Sequence, residues 1–280
     1  MQQLKQHLKT YFGYPVWVTE CNPDGERLIV LLHGFGASSL SWNEVMADLA
    51  GLGHVLAYDR PGYGFTPLVE RSNPDPYSLA GQVELLVQII RSEANGRPVI
   101  VVGHSAGALV AAKCTLEHLG LATKLILESP AIWRQPPVPR WLGARLRNPR
   151  LERFADRLLG SFDKTGLTIL RKSFFDQAKL TQQVIDRYQS PMQNPHWRLK
   201  LWRAMTADQS NSVREQLGRL ALPVFVVSGE ADQITKVEDT FRVAERIPGH
   251  RIYLVPNAGH LAHEEQPDDW LRVVADFIRA

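Results

Sequence analysis

The sequence predicts an α/β fold: a mostly parallel central sheet covered by helices on both faces, with one helical segment inserted into it. Three observations lead there. Runs made wholly of apolar residues, such as Leu28–Leu32, Val99–Val102 and Val224–Val227, lack the polar alternation of a strand with one wet face and read as strands buried on both. Segments with helical spacing separate them, as in a parallel sheet built from βαβ units. From about residue 131 to 215 the alternation stops: Pro136, Pro137, Pro139, Pro149, Pro191 and Pro195 mix with Trp133, Trp141, Trp197 and Trp202, and no buried strand is legible. The expected organisation is a sheet domain of residues 1–130 and 216–280, with a helical lid of residues 131–215.

Taken in order, residues 11–20 read as one short aromatic strand, placed at a sheet edge by Pro15, which cannot donate to a ladder. Asn22-Pro23-Asp24-Gly25 is a turn. Leu28–Leu32 runs into His33-Gly34-Phe35-Gly36, and a helix is expected to start near Ser39 or Ser41. Val55–Tyr58 is the next strand, and Asp59-Arg60-Pro61-Gly62-Tyr63-Gly64 is a loop by its Pro and Gly content. Ser78 is placed to cap a helix over 78–92, with Leu79, Val83, Leu86, Val87 and Ile90 at helical spacing. Lys124–Glu128 is another buried strand. Within the lid, helices are expected at 150–160, 164–176, 180–189 and 196–207. Strand 223–229, a helix over about 236–247, strand Arg251–Val255 and a closing helix over 268–279 complete the chain.

The stretch with chemical content is Val99–Val102 followed by Gly103-His104-Ser105-Ala106-Gly107 and then by Ala108, Leu109, Ala111, Ala112 and Leu116. Strand, tight turn with a serine at its apex, helix: this is the context of a nucleophile elbow. Gly103 and Gly107 remove the Cβ atoms that would collide around a strained serine. The five-residue pattern alone arises by chance in roughly one chain in ten of this length, so its flanks have to carry the weight.

Composition narrows the classes further. With 44% hydrophobic and 22% charged residues the chain is an ordinary globular one. A net charge of +3 is too small to argue for nucleic acid, and no nucleic-acid motif is present. No stretch reaches the roughly eighteen apolar residues of a membrane span, and residues 1–9 lack a signal-peptide core, so cytoplasmic residence is the expectation. Cys21 and Cys114 form no disulfide framework, and the nine histidines include no zinc-type spacing, so neither metal nor cofactor is expected.

Two motifs follow the lid: Gly229-Glu230-Ala231-Asp232 and Asn257-Ala258-Gly259-His260-Leu261-Ala262-His263-Glu264-Glu265-Gln266-Pro267, each just past a strand. Ser, Asp, His in this chain order, together with the His33–Gly36 and Asp59–Gly64 motifs, resembles the α/β-hydrolase superfamily over nearly the whole chain, lid excepted. The resemblance implies an α/β-hydrolase fold and a triad of Ser105 as nucleophile, His260 as base and Asp232 as its orienting acid. It also implies an oxyanion hole made by the backbone N–H groups of Phe35 and Ala106, with His33, Gly34, Gly36, Gly103, His104 and Gly107 in support. Activity should then rise through neutral pH as His260 loses its proton. Glu128 is the rival for the acid; His263 is expected to bond within its own loop; the Asp59–Gly64 loop reads as a scaffold beneath the pocket without a chemical role. Trp42 reads equally as pocket lining or as core.

Relatives that open epoxides or displace halides carry aspartate where this chain has Ser105, so acyl transfer on a small molecule, through an acyl-enzyme and without cofactor, is the expected reaction. Carbon–carbon hydrolysis of a ring-cleavage product is the near alternative, although those relatives usually have Gly-Pro-Gly where this chain has Gly36-Ala37-Ser38. A perhydrolase side reaction and a non-catalytic binding or accessory role complete the alternatives. In the lid, residues 133–157 hold seven arginines against Glu152 and Asp156, interleaved with Trp141, Leu142, Leu146, Leu151 and Phe154. Three readings stay open: a solvated face over an apolar stripe, attraction of anionic substrates, and transient contact with an anionic membrane surface without insertion. The apolar lid residues favour a substrate with a hydrophobic portion. Oligomeric state is not legible.

Overall fold

Each central strand carries an apolar run through its middle and is followed by a helical segment, and that combination yields parallel pairing with both faces covered. The computed structural model describes residues 3–135, 138–160 and 162–280. Pro136 and Pro137, and the side chains of Asp156 and Leu158, lie outside the described residues. The strands are β1 (Lys5–Tyr11), β2 (Tyr14–Cys21), β3 (Leu28–Leu32), β4 (His54–Tyr58), β5 (Val99–His104), β6 (Lys124–Glu128), β7 (Val224–Gly229) and β8 (Arg251–Val255). They form one eight-stranded sheet in the order β1-β2-β4-β3-β5-β6-β7-β8. Pairing is parallel from β4 to β8 and antiparallel for β1–β2 and β2–β4.

The N-terminal expectation needs correcting. Residues 11–20 are not one edge strand but parts of a hairpin, with Tyr11 facing Tyr14 across a two-residue turn. Phe12 and Gly13 both have positive φ, 51° and 82°, as a tight hairpin turn with the right twist requires. The edge belongs to β1, whose polar residues Lys5, Gln6, Lys9 and Thr10 conceal it in the sequence.

Side chains alternate across the sheet into two cores. Val30, Leu32, Val101 and Leu125 pack beneath the helices Leu79–Glu93 and Ala106–Glu117. Ile29, Leu31, Val102 and Ile126 pack against the helices Asn43–Leu49 and Pro267–Arg279 on the other face. Ser78 caps the helix Leu79–Glu93, its hydroxyl accepting from the Gly81 N–H at 3.1 Å. Because the strands are parallel, the loops after β3, β5, β7 and β8 gather at one end of the sheet, where sites form in such folds.

Between β6 and β7 the described residues form helices and no strand: Arg140–Leu146, Pro149–Glu152, Ala155–Leu158, Phe162–Ser173, Gln182–Gln189, Trp197–Thr206 and Val213–Gln216. The helix expected over 150–160 is thus two short turns of helix. This segment is pinned to the loop after β4. The buried Lys200 ammonium donates to the carbonyls of Gly64 and Thr66, both at 2.8 Å, and the Arg203 guanidinium reaches the Val69 carbonyl at 2.8 Å and Glu152 at 3.0 Å. No helix among the described residues is long and apolar enough to cross a membrane.

Candidate active site

The turn after β5 concentrates strain on one residue. Ser105 has φ 53° and ψ −115°, a region that costs a non-glycine residue energy and persists only when its surroundings fix it. They do. The Ser105 N–H donates to the Glu128 carbonyl at 2.9 Å, and the Ser105 carbonyl accepts from Ala108 and Ala131. A Cβ on Gly103 would sit 2.6 Å from the Ala108 backbone, and one on Gly107 would sit 2.4 Å from the Leu32 carbonyl oxygen. Glycine is therefore required at both flanks. Ala106 begins the next helix, so its N–H is among those without an intrahelical partner.

Asp232 lies just past β7 and His260 just past β8. The Asp232 Oδ2 accepts from His260 Nδ1 at 2.8 Å, while Oδ1 accepts from the N–H groups of Ile234 and Thr235 at 2.8 and 2.9 Å. Burial alone would raise this carboxyl, but the facing His260 and the two backbone donors outweigh it and hold Asp232 below the usual aspartate range. With Nδ1 donating to the carboxylate, Nε2 of His260 is the ring nitrogen left to accept a proton. The His260 loop is anchored from three sides. Its N–H donates to the Ser173 carbonyl at 2.7 Å, its carbonyl accepts from His104 Nε2 at 3.0 Å, and the preceding Gly259 N–H donates to Glu265 at 2.7 Å.

His104 thus ties the serine turn to the histidine loop. As the donor to a carbonyl, Nε2 carries the proton, and the bare Nδ1 faces Gly34. Burial pushes its pKa down to about 3, so the ring is neutral. His33 is also fully buried: its Nε2 accepts from the Arg60 N–H at 3.0 Å and its Nδ1 lies 2.7 Å from the Gly34 carbonyl oxygen.

Ser105, His260, His104, Gly34, Phe35 and Ala106 line one cavity of about 510 Å³. Its remaining walls are largely apolar: Leu109 and Val110 from the sheet domain, and Leu167, Leu170, Met192 and Met205 from the inserted helices. Asp232, His33, Gly103 and Gly107 stand behind this lining. No carboxylate is part of it among the described residues.

Three sequence expectations change here. His263 bonds outside its own loop, its N–H and Nδ1 both reaching Glu128 Oε1, at 3.2 and 2.9 Å. Glu128, the rival acid, is thereby engaged away from His260. Trp42 is fully buried and stacks on His263 with ring centroids 4.2 Å apart, so it is core and not cavity lining. The Asp59–Gly64 loop is only partly scaffold. Asp59 holds the N–H groups of Ser39 and Phe65 at 2.5 and 2.6 Å, but Arg60 and Tyr63 line the cavity. Sequence reasoning missed Arg60 because the motif reads as a turn, and missed Glu265 because an acid in a polar loop carries no sign of burial. Glu20, His54 and Glu93 bring potential metal-ligand atoms within 4.8 Å of one another. The Lys9 ammonium already supplies the cation there, 2.8 Å from Glu20 and 3.2 Å from Glu93.

A strained serine, an imidazole and a carboxylate at the ends of parallel strands define a hydrolase of the α/β class. The chain belongs to the alpha/beta hydrolase family, whose model matches residues 29–273. It is 28% identical over 264 residues to monoacylglycerol lipase abhd6-A of Xenopus laevis, covering 91% of this chain and 76% of that one. It is 25% identical over 272 residues to the uncharacterized hydrolase YugF of Bacillus subtilis, covering 96% of each chain. Its fold resembles the crystal structure of a putative aryl esterase from Burkholderia cenocepacia, with a TM-score of 0.79, 20% identity and 98% of each chain covered.

Proposed function

We propose that the protein is a serine hydrolase that cleaves a carboxylic ester of a small molecule with a hydrophobic acyl portion. The observation that carries this reading is the 2.8 Å bond between His260 and Asp232 beside a strained Ser105 that lines the same apolar cavity. His260 Nε2 takes the Ser105 proton as Oγ attacks the ester carbonyl, and Asp232 stabilises the imidazolium that forms. The Phe35 and Ala106 N–H groups hold the tetrahedral oxyanion, a contribution worth ~2.7–4 kcal/mol per donor. The imidazolium protonates the leaving alcohol, and water activated by the same imidazole releases the acid from the acyl-enzyme. Residues 131–215 act as the lid whose apolar side chains close over the acyl group. The relatives named as monoacylglycerol lipases support an ester with a single acyl chain as the first substrate class to assay.

The test is hydrolysis of p-nitrophenyl esters from acetyl to palmitoyl, and of monoacylglycerols, with Ser105→Ala assayed in parallel. The expected result is Ser105-dependent turnover that improves from acetyl to medium chain lengths. Preference for acetyl would reject the hydrophobic-acyl assignment. No turnover above Ser105→Ala on any ester would reject ester cleavage and favour carbon–carbon hydrolysis or a binding role on the same fold.

A further inference from the structure

One peptide unit joins the Gly34 carbonyl to the Phe35 N–H, and the two ends of that unit face opposite ways. The carbonyl oxygen of Gly34 receives two donors. Arg60 Nη2 lies 2.9 Å from it and His33 Nδ1 lies 2.7 Å from it. The His33 tautomer is fixed by its other nitrogen: Nε2 accepts the Arg60 backbone N–H at 3.0 Å, so in a neutral ring the proton resides on Nδ1 and points at Gly34. His33 is neutral because burial, and then the charge of Arg60, push its pKa well below the usual histidine range.

Arg60 itself is an unusual tenant. It is 2% exposed, and no carboxylate pairs with it among the described residues. Nη1 donates to Gln82 Oε1 at 2.5 Å, the guanidinium lies 4.9 Å from the centre of the Tyr63 ring, and Nε has no hydrogen-bond partner. A buried charge without a counter-ion is costly. Here its field falls on a peptide dipole at the edge of the cavity that holds Ser105.

We propose that Arg60, with His33 behind it, is a positioning residue for the oxyanion hole: by binding the Gly34 carbonyl it orients and polarises the Gly34–Phe35 peptide, so that the Phe35 N–H is a stronger donor to the tetrahedral oxyanion. Hydrogen bonds in a chain strengthen one another, and the charged member strengthens them most. The positive charge also lies on the side of the cavity where negative charge develops in the transition state. Preorganised dipoles of this kind act on the transition state more than on the ground state. The inference rests on the serine-hydrolase reading above.

The experiment compares wild type, Arg60→Lys, Arg60→Met and Ser105→Ala. It measures kcat and KM on a p-nitrophenyl ester, and the inhibition constant of an alkyl boronic acid, which forms a tetrahedral adduct on a serine. The expected result for Arg60→Met is a loss of about tenfold in kcat with KM within twofold, and a matching loss in boronic-acid affinity. Arg60→Lys, which keeps the charge but not the fork, should recover part of both. Unchanged kcat and boronic-acid affinity in Arg60→Met would overturn the inference, as would a loss confined to KM. If Arg60→Met does not fold, Arg60→Lys against Arg60→Gln decides on the same two readouts. Wild-type turnover that does not depend on Ser105 would bring down the serine-hydrolase reading itself. Ser105-dependent turnover that is indifferent to Arg60 would bring down this inference alone.

Discussion

Behind the serine turn, His263 Nδ1 lies 2.9 Å from Glu128 Oε1, an acid–imidazole pair of the same chemical kind as Asp232 and His260 but fully buried and outside the cavity. The two acids differ in how they are solvated by the protein. Asp232 has three donors spread over both oxygens. Glu128 receives both of its donors, from His263, on one oxygen, and its Oε2 has no partner. Burial therefore dominates at the second pair, raising Glu128 to about 7 and pushing His263 down to about 3. Both groups lean toward their neutral forms. A neutral carboxyl is a poor counter-charge for an imidazolium, whereas Asp232, held below the usual aspartate range, faces His260 as a carboxylate.

Replacing each acid by its amide should separate the two pairs. Asp232→Asn turns a donor toward His260 Nδ1, favours the wrong tautomer and should cost on the order of 10⁴ in kcat, as the equivalent change does in serine proteases. Glu128→Gln keeps an oxygen for both His263 donors and should change kcat less than tenfold. Steady-state kinetics on one ester checks this. Comparable losses in the two variants would contradict the assignment.

Stability should peak slightly below neutral pH and fall on the alkaline side. Burial raises Glu128 to about 7 and Glu264 to about 8 from 4.5, so the folded state holds protons there that the unfolded state has released. Their contribution is full below pH 4.5 and is lost as pH rises through 7 and 8. His104 and His263, lowered by burial to about 3 from 6.5, work the other way: their contribution is present above pH 6.5 and is lost as pH falls toward 3. The two effects oppose each other between 4.5 and 6.5, and just above that the acids dominate; Lys200, lowered by burial to about 8 from 10.5, begins to oppose them only as pH approaches 8. Thermal unfolding should show Tm declining from pH 6.5 to 7.5, below the range in which Lys200 titrates, with a shallower decline in Glu128→Gln. A Tm that rises over this interval would refute the account.

Glu265 should matter for both stability and turnover although it touches no reacting atom. It is fully buried, and its carboxylate accepts the N–H groups of Gly259, Phe175 and Asp176 at 2.7, 3.1 and 2.5 Å. One side chain thus clamps the end of the inserted helix Phe162–Ser173 to the loop that carries His260. Glu265→Gln gives up an acceptor oxygen in a place that offers only donors, a loss worth about 1–3 kcal/mol. The urea midpoint should drop by a corresponding amount, and kcat should fall because the His260 loop loses an anchor. An unchanged midpoint would mean that the clamp is dispensable.

The sequence made the centre of this fold legible and hid its margins, for a physical reason. β3, β5 and β7 are buried on both faces, so their apolar runs mark them without ambiguity, and the glycines around Ser105 mark the turn because no other residue fits there. β1 went unseen because an edge strand needs few apolar residues, and half of Lys5–Tyr11 faces solvent. The candidate site was legible where a motif names the residue. It was not legible where the partner is chosen by tertiary register. Glu128 and His263 are far apart in sequence and meet only because β6 ends beside the serine turn. Arg60 carries the same lesson, since a Pro-Gly loop discloses nothing about where its guanidinium goes.

Gly34 and Gly36 lie two residues apart in one loop, yet alanine should fail at them for different reasons. Gly36 has φ +73° with nothing within 4 Å of an added Cβ, so Gly36→Ala meets backbone strain alone, about 1–2 kcal/mol. At Gly34 an added Cβ would lie 2.9 Å from His104 Nδ1 and 3.2 Å from the Ser105 Cβ. His104 cannot retreat without straining its 3.0 Å bond to the His260 carbonyl, so the push reaches the serine and the histidine loop together. Gly34→Ala should therefore lose about a hundredfold or more in the rate of Ser105 phosphonylation by an active-site phosphonate, the scale of removing an oxyanion donor. Gly36→Ala should lose less in that rate while lowering Tm. If the two variants lose rate equally, the loop is sensitive to its backbone and not to the space between Gly34, His104 and Ser105.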